Sequence, residues 1–110
     1  MAFKIIENPT FVHTVPVMVP IDGGHAEQSL KAKFRVVPQD ELMHHDLRTA
    51  EGTESYCRAI VADFGDIEDE TGNPVPTTED VRNTLFRTPF VQIALIRSYT
   101  AAMSKARTGN

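Results

Sequence analysis

Four histidines, one cysteine and a run of closely spaced acids are the residues of this 110-residue chain that could do chemistry. His44-His45-Asp46 with Cys57 offers imidazole and thiol groups of the kind that ligate metals or carry protons near neutral pH. Neighbouring residues on a helix point about 100° apart, so His44 and His45 cannot grip one ion as an i, i+4 pair does. Both read as exposed polar residues of a helix. His13 falls in a strand pattern and His25 beside a glycine turn, and neither has the Ser and Asp neighbours of a triad. The acids Asp66, Glu68 and Glu70 alternate in the segment GDIEDETGNPVP. A calcium loop of the EF-hand type needs Asp or Asn at positions three and five, Gly at six and Glu at twelve; here Glu68, Glu70, Thr71 and Thr77 stand there. Asp22-Gly23-Gly24 precedes a strand and lacks the Lys and Ser/Thr of a phosphate loop. No catalytic, cofactor-binding or metal-binding residue is assigned, and the chain is expected to be no enzyme.

The length suits one domain, residues 1–110, and a modest core. Hydrophobic residues make up 41% and charged residues 24%, a globular balance. No apolar run reaches signal-peptide or membrane-spanning length, so a cytoplasmic protein is expected. Cys57 alone allows no disulfide within the chain, and its place in a helical pattern suggests a small buried residue. Net charge is -4, but the signs are separated. Residues 51–80 hold nine acids against Arg58, whereas residues 81–110 hold Arg82, Arg87, Arg97, Lys105 and Arg107 and no acid. Two readings stand: a solvated acidic loop beside a helix with a matched basic end, or an acidic face that attracts the basic face of a second copy. Five scattered bases in an acidic chain make a poor nucleic-acid footprint.

The elements that must position these groups divide into a β-rich part, 3–37, and a helical part, 39–107, with an acidic loop at 65–76. Residues 3–6 read as a short first strand. Residues 11–19 alternate, with Phe11, Val15, Val17 and Val19 on one face beside His13 and Val12, Thr14, Pro16 and Met18 on the other. Pro16 lacks an N–H and puts this strand at an edge or a bulge. After the glycine turn, Leu30, Ala32, Phe34 and Val36 alternate with Ser29, Lys31, Lys33 and Arg35, giving an antiparallel hairpin that needs a helix on its apolar face. Residues 39–49 read as a short helix. Residues 53–64 read as an amphipathic helix carrying Tyr56, Cys57, Ile60, Val61 and Phe64. Thr77 is expected to cap a third helix, with Asp80 three residues on and Val81, Leu85 and Phe86 on one face. The fold class is therefore α+β, a small antiparallel sheet packed against about four helices.

The final helix, 88–107, has complete end signals: Thr88 and Pro89 at its start, Lys105 and Arg107 in its closing turns, Gly109 beyond it. Its first half is apolar nearly all round, which a surface helix of a lone small domain does not need. Phe90, Val91, Ile93, Leu95, Ile96 and Tyr99 are expected to divide between the core and a partner surface, with either place open for each one.

The ordered set of pieces resembles the tail assembly chaperones of long non-contractile-tailed bacteriophages and prophages. The residues that carry the resemblance are the Pro-Ile-Asp-Gly-Gly turn at 20–24, the return strand LKAKFRVVPQDEL, and the run DFGDIEDETGNPVPTTEDVRNTLFRTPFVQIALIRSYTAAMSKARTGN. That run has an aromatic, a glycine, acids, Gly-x-Pro-x-Pro, a helix, a proline break and a last helix with tyrosine. Phe64 stands where the family has a tryptophan, and it keeps an aromatic anchor.

The resemblance implies a transient, non-enzymatic assembly factor that needs no cofactor, works in the host cytoplasm and is absent from the mature virion. Such a protein binds the long tape measure protein, keeps it soluble and helps recruit tail tube subunits. In many such phages a frameshifted longer form engages the tail tube protein. Self-association is expected as well, with Asp66, Glu68, Asp69 and Glu70 facing Arg97 and Lys105 of the next copy. Two rivals remain, a structural tail or neck subunit retained in the virion and a small metal-binding enzyme.

Overall fold

The alternation in the first third folds as one long hairpin. In the computed structural model, which describes residues 1–108, β1 (Thr10–Ile21) and β2 (Gly24–Arg35) pair antiparallel from Thr10↔Arg35 to Ile21↔Gly24. Asp22-Gly23 makes the turn, where Gly23 takes a φ of +77° that other residues adopt only with strain. Val15, Val17, Leu30, Ala32 and Phe34 point into the core. β1 is an edge strand, as Pro16 requires. Pro16 and Pro20 share a parity in it, so both missing N–H groups fall toward the free edge and blunt it as a template for further strands.

A third strand, β3 (Val61–Gly65), pairs antiparallel with β2 and completes the order β1-β2-β3. Residues 53–64 are therefore not one helix. Helix α2 (Ala50–Ile60) ends where the guanidinium of Arg35 bridges the junction, donating to Arg58 O in its last turn at 3.1 Å and to Val61 O just beyond it at 2.9 Å. The chain then extends along the open edge of β2, with a bulge opposite Lys33 and Phe34. Cys57, Ile60, Val61 and Phe64 are all buried, so the apolar set is as expected although its period changes after Ile60.

Other boundaries also differ from expectation. Residues 3–6 form no strand; Asn8 turns the chain at a φ of +52°, and everything before it is exposed. Helix α1 (Gln39–Leu42) is a single turn, because Asp46 accepts from the backbone N–H of Arg48 and Thr49 caps α2 by accepting from Gly52 N at 2.9 Å. Helix α3 (Glu79–Arg87) is capped by Thr78, which accepts from Val81 N; the Thr77 hydroxyl donates instead to Phe64 O at 3.1 Å. Val36 lies past the end of β2 and is exposed.

Helix α4 (Pro89–Thr108) follows α3 after Thr88 alone, held extended as a residue before proline is. The Thr88 hydroxyl donates back to Thr84 O at 2.7 Å, and Gln92 Nε2 donates to Phe86 O at 2.6 Å, fixing the corner between the helices. α4 packs on β1, α2 and α3, so the hairpin and the helices share one hydrophobic core. At the start of the hairpin Phe11, Phe34 and Tyr99 form an aromatic cluster with ring centres 5.3 to 6.2 Å apart. Gly109 lies outside the described residues.

Candidate functional site

His44 and His45 lie in the turn after α1, not on a helix. His45 is half-buried, with Nδ1 at 2.7 Å from Ser55 Oγ and its ring edge-on to Tyr56. The Ser55 hydroxyl also lies within hydrogen-bond reach of Gly52 O, at 3.0 Å. Ser55 thus ties the His45 ring to the first turn of α2. Cys57 is buried against α4, 3.9 Å from Gln92 O, and burial pushes its thiol up to about 11, with the Glu54 charge adding to it. A thiol so placed is inert. Among the described residues no three His, Cys, Asp or Glu side chains converge as metal ligands.

The acidic loop is a folded turn. Asp69 accepts from Thr71 Oγ1 at 2.6 Å, Thr71 N at 2.9 Å and Asn73 N at 3.1 Å, while Val75 N donates to Ile67 O and Glu68 bridges Pro74. Those donors, the Thr71 hydroxyl first, hold its carboxyl below the usual carboxylate range. Asp66 takes a φ of +55° and pairs with Lys31 at 3.5 Å. Glu68 and Glu70 stand in solvent.

The separated charges meet largely within the molecule. Arg82 pairs with Asp63 at 3.0 Å, Arg58 with Glu54 at 2.9 Å, and Arg87 reaches Glu54 at 3.6 Å. Arg58 and Arg82 also lie over the Phe86 ring, 4.7 and 5.7 Å from its centre, so their stems cover the core. Among the described residues Arg97 has no ion-pair partner. Lys105 is exposed near the end of α4.

The apolar half of α4 divides as its three neighbours dictate. Val91, Leu95 and Tyr99 are buried, together with Ala94; Phe90 and Ile96 are half-buried; Ile93 is 54% exposed. Most of the excess apolarity is therefore spent inside the domain. Of what remains outside, Phe90 and Ile93 line one groove, and a second groove lies on the other half of α4.

The first groove, about 530 Å³, runs between β1 and the start of α4, with Pro16, Met18, Pro20, Phe90 and Ile93 as its apolar walls. Glu27 and Arg97 stand on its rim. The second, about 450 Å³, lies between the α1 turn and the second half of α4. Leu42, Met43, Leu47, Tyr56 and Met103 line it, with His45, Thr100 and Ser104 as polar points. Met43 is 76% exposed, and Leu47 is exposed beside it.

Sequence reasoning took residues 39–49 as one short helix and so missed this second groove, which the turn after α1 opens. The signal available was His44-His45-Asp46 followed by Thr49: a short polar break before a cap, which ends a helix early and leaves its apolar residues outside. Among the described residues no helix is long and apolar enough to cross a membrane. No protein-family model, curated protein or solved structure matches the chain.

Proposed function

We propose that this protein is a non-enzymatic phage tail assembly chaperone, which holds helical segments of a tape measure protein in the groove between the α1 turn and α4. The observation that carries this reading is the exposure of Met43 and Leu47 beside half-buried Leu42 and Met103. An amphipathic helix buries its own stripe of i, i+3, i+4 and i+7 residues in a groove of this kind. Methionine walls adapt to helices of differing sequence, which suits a partner that presents many similar but unequal segments along its length. Binding is transient because few anchors are available to one domain, and many copies along a long chain compensate by number.

The order of elements supports the same reading: a β-hairpin, an acidic turn, a proline break and a last helix with tyrosine recur in the resemblance noted above. Tail tube subunits would be recruited by a longer, frameshifted form. The protein acts in the host cytoplasm and leaves before the virion matures. Co-expression with the tape measure protein of the same genome tests the proposal. The expected result is a soluble complex with the parent chain and an insoluble tape measure with Met43→Asp/Leu47→Asp. A tape measure equally soluble with both chains, or with neither when both are well folded, contradicts it.

A further inference from the structure

In the leading arm, residues 1–8 are all exposed, and only Pro9 at its base is half-buried. Phe3 and Ile5 are 90% and 92% exposed, and Ile6 is exposed with them. Val36 N donates to Pro9 O at 3.1 Å and fixes the base of the arm, while the left-handed turn at Asn8 swings the rest off the sheet. Phe3, Ile5 and Ile6, three large apolar side chains bared on a strip that also carries Lys4 and Glu7, indicate a binding segment.

We propose that residues 3–7 of one copy seat in the groove between β1 and α4 of a second copy, joining copies head to tail. The dimensions fit: residues 3–7 extended span about 13 Å, and so does the groove wall from Pro16 to Pro20. The charges fit as well. The arm carries Lys4 and Glu7, the groove rim carries Glu27 and Arg97, and none of these four has an ion-pair partner among the described residues. Placing Phe3 and Ile5 against Met18, Phe90 and Ile93 lets Lys4 approach Glu27 and Glu7 approach Arg97.

The arm cannot fill its own groove. Met18, at the groove's middle, is nine residues along β1 from Pro9, about 30 Å, whereas Phe3 can reach at most about 21 Å from Pro9. Arm and groove sit toward opposite ends of β1, so each copy offers one of each. Such a contact is heterologous and propagates into a ring or an open row. This contact between copies is independent of what binds between the α1 turn and α4.

Two variants placed on exposed positions test it, one in the arm (Phe3→Ser/Ile5→Ser) and one in the groove (Ile93→Asp). Sedimentation velocity of the parent chain over a range of concentrations shows self-association. Each variant alone associates at least about tenfold more weakly. Mixed, the intact arm of the Ile93→Asp copy meets the intact groove of the Phe3→Ser/Ile5→Ser copy, and the mixture forms a 1:1 dimer that grows no further. A monomeric parent, variants that associate as the parent does, or a mixture that yields no dimer overturns the proposal.

Discussion

The backbone N–H of Val37 donates a hydrogen bond to the Tyr99 hydroxyl at 3.0 Å, joining the exit of the hairpin to the middle of α4. Val37 lies just past β2, and Tyr99 is buried against Phe11 and Phe34. One side chain thus sets the angle at which the helical half lies on the sheet. It also separates the two grooves along α4, with Ile93 on one side and Met103 on the other.

Tyr99→Phe keeps the ring packing and removes the acceptor for Val37 N–H. A part-buried backbone donor left unpaired costs about 1–3 kcal/mol. Urea unfolding should show that loss with an unchanged slope. An unchanged midpoint would mean that water replaces the hydroxyl without penalty.

Gly52 lies in the first turn of α2, where a Cβ would fall 1.9 Å from the Asp46 carbonyl oxygen. The obstacle is backbone, held by Thr49 N and the Thr49 hydroxyl, both of which donate to that oxygen. Gly52→Ala would normally favour a helix. Here it should destabilise by roughly 1–3 kcal/mol, the usual cost of forcing extra volume into a packed site. A higher melting temperature for this variant would refute the close approach.

Cys57 gives a pH dependence of known sign. Its folded value, about 11, exceeds the ordinary thiol value of 9.0, because burial disfavours the thiolate. Between those values the unfolded chain has lost the proton and the folded chain keeps it, so stability falls as pH rises through that window. The contribution is full below pH 9 and declines by roughly 2–3 kcal/mol toward pH 11. Cys57→Ala should be less stable at pH 7 and show a flatter decline from pH 9 to 11 than the parent. Equal slopes would place the thiol in contact with water.

Much of this fold is legible in the residues themselves, because alternation and helical stripes report burial directly. Val15, Val17, Leu30, Ala32 and Phe34 are inside as their spacing requires, and Pro16 sits on an edge strand. β3 is not legible, because Cys57, Ile60, Val61 and Phe64 fit a helix as well as a helix followed by a strand. The choice is made by distant groups: the edge of β2 that needs a partner, and Arg35 bridging the junction where α2 ends. The second groove escaped for the same reason. Asp46 and Thr49 terminate α1 through side-chain bonds to nearby backbone, and a short polar side chain declares such a bond only weakly in sequence. The expected division of α4's apolar residues between core and surface could not be assigned residue by residue, because it is set by β1, α2 and α3, which together bury Val91, Leu95 and Tyr99.

The chaperone reading is tested most directly by a photo-crosslinking residue placed at Met43 and, as a control, at Val12, which is exposed on β1 away from both grooves. Each form is co-expressed with the tape measure protein and irradiated before lysis. The account predicts a crosslink to the tape measure from position 43 and none from position 12. A soluble tape measure complex that crosslinks from position 12 and not from position 43 would contradict it.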